Sequence, residues 1–453
     1  YELTAGQREV LEVISAELNS SKPMNRLLQG EVGSGKTIVS VLAMLQMVDA
    51  GYQCALLAPT EVLAAQHARS IRDVLGPLAM AGQLGGEDNA TRVALLTGSM
   101  PQAQKREVRD EVAAGLAGIV IGTHALLQDA VEFERLGMVV VDEQHRFGVE
   151  QRDRLRAKAP AGLTPHLLVM TATPIPRTVA LTVYGDLETS TLRELPRGRQ
   201  PITTNTIFIK EKPQWLDRAW QRISEEVAAG RQAYVVTARI DETDSGGGES
   251  NGPPATTAVE LYERLRGGPL CGLRVGLMHG RLAADEKDAV MAAFRDGQID
   301  VLVCTTVIEV GVDVPNATVM VVMDADRFGI SQLHQLRGRI GRGAHPSLCL
   351  LATRLPQDSR AGERLRAVAG TLDGFALADL DLQERREGDV LGLNQSGRSF
   401  TLRFLSLAEH LDLIVAAREL CQELYAADPD SRGMAVLAAQ FTGGDRIEFL
   451  DKS

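Results

Sequence analysis

Residues 25–37 read NRLLQGEVGSGKT, and the architecture of the chain follows from how that stretch is spaced. Arg26, Leu27 and Leu28 open it as the short apolar run of a buried strand, and residues 38–47 resume helical spacing. Between them stand Gly30, four intervening positions, then Gly35, Lys36 and Thr37. Strand, glycine-rich turn and helix in that order make a phosphate-binding loop. Gly30, Gly33 and Gly35, with Ser34 among them, let the backbone curl so that successive N–H groups point inward at an anion. A helix starting near Lys36 aims the positive end of its dipole at the same place. Lys36 is expected to reach the β/γ-phosphates, and the Thr37 hydroxyl to ligate Mg²⁺. The competing account, a glycine-rich turn that matches by chance, leaves the flanking strand and helix unexplained. The expected ligand is a nucleoside triphosphate.

Composition narrows what that nucleotide could drive. A length of 453 residues suggests about three domains, and 44% hydrophobic content is ordinary for globular cores. No apolar run approaches a membrane span, and the start, YELTAGQREV, has neither the basic nor the apolar part of a signal peptide. The five cysteines form no CxxC pair, and most lie in or beside apolar runs, so they are expected to be reduced core thiols of a cytoplasmic protein. A net charge of −11 speaks against polyanion binding by overall charge. Nucleic acid would need a local basic track.

Upstream of the loop, residues 3–7 open an amphipathic helix that runs through Leu18, and Gln7 within it has an amide suited to the adenine edge, although a surface Gln after a helix cap would look the same. Downstream, apolar runs at 54–58, 93–96, 118–121 and 138–141 read as buried strands alternating with helices, which indicates a parallel α/β sheet. Ligands to such sheets collect at the carboxyl ends of the strands. Pro59, Thr60 and Glu61 end the first of these runs, and small polar residues follow the next two: Thr97, Gly98 and Ser99; Gly122, Thr123 and His124. Thr60, Thr123 and His124 are therefore candidates to hold a sugar–phosphate backbone. The run at 138–141 leads into Asp142 and Glu143, an acidic pair that suits Asp142 to the Mg²⁺ shell and Glu143 to orienting or deprotonating the attacking water.

Residues 193–200 break the pattern with Pro and Gly and read as a linker. A second α/β series follows, with strands expected at 233–236, 275–278, 301–304, 319–323 and 348–351, and with no phosphate loop of its own. Residues 241–257 are polar, rich in Gly and Pro, and read as a mobile loop. In QLRGRIGR at 335–342, helical spacing would put Gln335, Arg339 and Arg342 on one face. An exposed basic face is the plain reading; arginine fingers donated to ATP are the functional one.

Taken together, GEVGSGKT, APTEVLAAQH, GTHALL, DEQH, TATP, TTVIEVGVD (305–313) and QLRGRIGR resemble a superfamily-two helicase motor, two tandem RecA-like parallel-sheet lobes with ATP between them. The stretches at 142–149, 169–187, 278–282 and 326–343 look like the RecG family of branched-DNA translocases. The Mfd family is similar, but its corresponding segment usually reads DEEQRFG where this chain has DEQHRFG. Residues 381–397 resemble the helical-hairpin motif that these two families share.

The resemblance implies catalytic roles for Lys36, Asp142, Glu143, Arg339 and Arg342, and nucleotide contacts by Gln7, Asp313 and Gln335. It also implies DNA binding or coupling by His279, Thr305, Arg385 and Gln395. The expected partners are double-stranded and branched DNA and a single-stranded DNA-binding protein, with ATP and Mg²⁺ as cofactors and a monomer as the working form. The expected division is 1–195 first lobe, 196–355 second lobe and 356–453 C-terminal helical hairpin and extension, with the family's N-terminal wedge domain absent. Other readings are an Mfd-like duplex translocase and a P-loop ATPase that remodels proteins without nucleic acid.

Overall fold

The computed structural model describes residues 2–31, 33–82, 85–128, 130–142, 158, 164–172, 175, 187–194, 202–238, 256–305, 314–384, 410–428 and 433. Contacts divide the chain into two units, residues 1–194 with 382–453 and residues 195–381. The helices Arg360–Gly370 and Gly374–Glu384 begin inside the second unit, so this division runs past the expected boundary at 355, and the helix Leu411–Ala427 groups with the first unit.

In the first unit, β1 (Asn25–Gly30), β2 (Gln53–Leu57), β3 (Arg92–Leu96), β4 (Ala117–Gly122), β5 (Leu136–Asp142), β6 (His166–Thr171) and β7 (Glu188–Leu192) form a parallel sheet in the order β3-β4-β2-β5-β6-β1-β7. The central strands are buried along their length, as strands covered on both faces must be, which is why their sequences are nearly unbroken apolar runs. Helices α1 (Ala5–Leu18), α2 (Lys36–Asp49), α3 (Glu61–Leu75) and α4 (Gln102–Ala113) accompany them.

The second unit repeats the plan with β8 (Ile202–Phe208), β9 (Gln232–Val236), β10 (Val275–Met278), β11 (Val301–Cys304), β12 (Ala317–Val322) and β13 (Ser347–Thr353), ordered β10-β11-β9-β12-β13-β8. Leu302, Met320 and Phe294 pack on one side of this sheet, and Val303, Val319 and Trp220 on the other.

Strands β7 and β8, which residue patterning did not reveal, are sheet edges. Their sequences, ETSTL and ITTNTIF, are mostly polar: Glu188, Thr203 and Asn205 are exposed, and neither strand carries the unbroken apolar run of a covered one. Two further expectations need correction. Of the loop expected at 241–257, residues 241–255 lie outside the described residues; at its end Thr256 and Thr257 are buried, the Thr256 N–H donates to Asp324 Oδ2 at 2.7 Å, and Thr257 caps the helix Ala258–Arg266. The helix Ile330–Arg337 stops at a Gly338 cap, and Gly341 takes a φ of 73°. Arg339 and Arg342 therefore lie beyond the helix, and the expected helical stripe from Gln335 to Arg342 does not form. At Gly341 the left-handed φ, which glycine takes without strain, turns the chain off the helical path.

Cys54, Cys304 and Cys349 are buried free thiols, and burial pushes Cys349 up to about 12. Cys271 and Cys421 are exposed. Among the described residues no helix is long and apolar enough to cross a membrane.

Candidate functional site

The phosphate loop forms as its spacing requires. Gly33 and Gly35 sit at φ 85° and 86°, the left-handed region where a side chain is strained, and the Ser34 N–H closes a turn onto the Glu31 carbonyl at 3.1 Å. A Cβ on Gly35 would overlap the Gln7 amide nitrogen, and one on Gly30 would lie 2.6 Å from Ser34 Oγ. Helix α2 then starts at Lys36 with no side chain capping its first N–H groups. First-turn N–H groups of this kind are the donors that an anion meets at a helix start. The Lys36 ammonium donates to the Gly30 and Glu31 carbonyls at 2.8 and 3.0 Å, which keeps it at the loop. Thr37 is half-buried in the first turn of the helix.

Gln7 is buried and already engaged. Its Oε1 accepts the Thr4 N–H at 3.0 Å in a capping box, and its Nε2 donates to the Ser34 carbonyl at 2.9 Å. The amide thus braces the loop, with one N–H and one lone pair left by the chemistry of the group. Ser34 Oγ is buried without a hydrogen-bond partner at the floor of the turn.

Asp142 ends β5, which is separated from β1 by β6 alone. The set formed by the Thr37 hydroxyl and the Asp142 carboxylate is all oxygen, which suits Mg²⁺. Among the described residues no group of three or more His, Cys, Asp or Glu could hold a metal by itself. A sparse protein ligand set is what a nucleotide-borne Mg²⁺ needs, since phosphates and water supply the rest. The residues fit that ion.

The other candidates in this unit gather at the same end of the sheet. Register pairs Leu57 with Gly122 and Leu96 with Gly122, so the residues after β2, β3 and β4 come side by side. Thr60 caps α3 by accepting the Leu63 N–H at 3.3 Å, which leaves its hydroxyl proton to donate outward. Thr123 is buried and His124 exposed. Glu61 Oε1 accepts the Ser99 N–H at 3.0 Å and ties two of these turns together.

In the second unit the pairing of Met278 with Cys304 sets His279 beside Thr305 just beyond β10 and β11. The Thr305 N–H donates to the Met278 carbonyl at 3.2 Å. Gln335 is half-buried, and Arg342 Nε donates to the Gly338 carbonyl at 3.1 Å. Arg337, which residue patterning did not single out, is only 2% exposed. It donates to the Val368 and Thr371 carbonyls at 2.9 and 2.7 Å. This arginine is scaffold. Glu143, Asp313, Arg385 and Gln395 lie outside the described residues.

Two supporting residues were missed. Gln29, next to the phosphate loop, accepts the Ile175 N–H at 3.1 Å and donates to Thr191 at 3.0 Å. His67 Nε2 lies 2.7 Å from Asp142 Oδ2. The only local signal for Gln29 was a polar side chain in a buried strand; His67 closes the APTEVLAAQH stretch and lies on the stripe of α3 that buries Leu63, Ala64 and Ala68, but neither fact names its partner.

Comparison with known proteins agrees with this layout. Residues 4–182 match the family described as DEAD/DEAH box helicase, and residues 216–344 match the helicase conserved C-terminal domain. The chain is 76% identical over 453 residues to a Mycobacterium bovis protein named ATP-dependent DNA helicase RecG, with 100% of this chain and 61% of that protein covered. A protein of the same name from Synechocystis is 47% identical over 431 residues, 95% of this chain and 48% of that protein. A solved structure of RecG bound to a three-way DNA junction superposes with a TM-score of 0.71 at 39% identity, covering 91% of this chain and 50% of that one. The chain thus spans less than two thirds of the length of each of these relatives.

Proposed function

Over the part it spans, the chain belongs to the RecG helicases, and from that premise we propose that it is an ATP-dependent motor that moves on double-stranded DNA and acts on branched DNA. The observation that carries this is the uncapped start of α2 behind a left-handed glycine turn, with a strand-end carboxylate two strands away in the same sheet. In this reading the loop N–H groups and the Lys36 ammonium hold the phosphates, while Gln7 braces the loop and faces the base. Thr37 and Asp142 would hold Mg²⁺, whose charge offsets that of the phosphates. Glu143 orients the attacking water and takes its proton. Arg339 and Arg342, with Gln335 and Asp313, are the second unit's contribution to the nucleotide, the two arginines answering charge that develops in the transition state.

Thr60, Thr123 and His124, together with His279 and Thr305, take the sugar–phosphate backbone. A motor that must pass over any sequence needs grip without base readout. Arg385 and Gln395 are assigned to passing motion to the duplex. A monomer in the cytoplasm, with a single-stranded DNA-binding protein as candidate partner, completes the proposal.

The deciding experiment is the ATPase rate with no DNA, single strands, duplex and a three-way junction. Stimulation by duplex and most by the junction is the expected order. A rate indifferent to DNA would reject the reading in favour of an ATPase that works on proteins.

A further inference from the structure

Asp142 is central to the nucleotide site, and the structure also shows what holds it. The His67 Nε2 and Asp142 Oδ2 lie 2.7 Å apart, with their side chains only 12% and 15% exposed. An ionised carboxylate can only accept a hydrogen bond, so Nε2 carries the proton and donates. The contact is charge-assisted and largely sheltered from water, the circumstance in which such a bond is strong. Two oxygens give a carboxylate about four lone-pair positions, so a donor on Oδ2 does not exhaust its capacity to ligate.

The donor is held rigidly. His67 lies four residues after Leu63 and three after Ala64, both buried, so its ring shares the inward stripe of α3. An aspartate needs such a partner because its carboxylate torsion is broad and roughly two-fold. Without a fixed donor, the plane of the carboxylate is loosely set. The same helix begins at Thr60, the residue assigned to the DNA backbone, and that turn follows β2, which pairs with β5 through Leu57 and Val141. One helix therefore carries the backbone-facing hydroxyl at its start and the imidazole on Asp142 two turns later.

We propose that His67 is a positioning residue for ATP hydrolysis: its Nε2–H orients the Asp142 carboxylate to receive the nucleotide's Mg²⁺, and α3 links that carboxylate to the turn at Thr60 that meets DNA. This inference rests on the nucleotide-site reading above. Partners one shell out from a metal-ligating group typically govern about 10–100-fold in metal affinity or activity, so the effect is measurable.

The test uses the full chain and reads metal binding apart from turnover. A fluorescent ATP analogue is titrated in EDTA and then across a Mg²⁺ series, for the wild type, His67→Ala and His67→Gln. Melting temperature and ATPase rate with and without duplex DNA are measured on the same samples. In His67→Ala, affinity in EDTA should hold while the Mg²⁺ concentration at half-effect rises by about 10-fold or more. Its kcat and its stimulation by duplex should fall together. His67→Gln, whose amide Nε2–H can reach the same oxygen, should recover most of both.

A Mg²⁺ half-point unchanged in both variants, with only the melting temperature lowered, overturns the proposal and leaves His67 as packing. A shifted half-point with full duplex stimulation overturns the link through α3. Wild-type protein that binds the analogue no better with Mg²⁺ than in EDTA would overturn the nucleotide-site reading itself, which the EDTA arm keeps distinct from a fault in His67.

Discussion

At the scale of single residues, Lys36 is the sharpest test. Its ammonium donates to the Gly30 and Glu31 carbonyls and is the one positive side chain in the turn. Lys36→Ala should lower ATP affinity and cut hydrolysis by about 10²-fold or more, as loss of a charge-stabilising donor does, while the two part-buried carbonyls left without it lower the melting temperature modestly. Phosphate release and analogue binding measure the two effects, and wild-type turnover would remove Lys36 from the site. Residue identity alone was enough to place Lys36 and Thr37, because both lie within a few positions of the glycines they work with. It could not place His67 or Gln29. Their partners stand 75 and 146 positions away, and nothing local in a histidine or a buried glutamine says whom it meets.

At the scale of elements, the helix Ile330–Arg337 depends on a buried arginine. Arg337→Ala would leave the Val368 and Thr371 carbonyls without their donor, at about 1–3 kcal/mol for each buried polar group left unmade. Thermal melting should show a clear loss; an unchanged midpoint would mean that water satisfies both carbonyls.

The second unit should also be sensitive to acid. Burial alone would raise Glu226, but hydrogen bonds from Arg231 and Thr318 and the nearby Arg222 charge outweigh it and hold the carboxyl below its usual range. Burial likewise acts to raise Asp300, and Arg274 overrides it. A folded-state value below the unfolded one means stability is complete above the ordinary carboxylate pKa, near 4, and is lost as pH falls through the depressed values. Melts from pH 6 down to pH 3 should show that decline, and Glu226→Gln should flatten its slope. A midpoint flat across the range would show that neither carboxylate is held as described. Patterning found the buried strands of both sheets but not β7 and β8, since a strand exposed on one side lacks the long apolar run that marks a covered one.

At the scale of the whole molecule, a net charge of −11 must be reconciled with a polyanionic track. Hydroxyl and imidazole contacts in local turns neutralise few phosphates, so affinity for duplex should fall only shallowly on a log–log salt plot, by about 0.9 for each phosphate that a Lys or Arg does neutralise. Fluorescence anisotropy between low and physiological salt would measure it; a steep slope would mean that cationic side chains outside these turns carry the grip. The sequence by itself determined the class of the molecule: a phosphate loop between strand and helix, covered parallel strands, and an acid at a strand's end. These features are written in spacing over a handful of residues, where backbone geometry and apolar periodicity act directly. Tertiary structure alone decided that α3 delivers a histidine to Asp142, that Gln29 holds the backbone after β6, that Arg337 is scaffold, and that Arg339 and Arg342 leave the helix. Each of those outcomes depends on which distant segments the fold sets side by side or on where the chain leaves a helix, and periodicity carries no record of either.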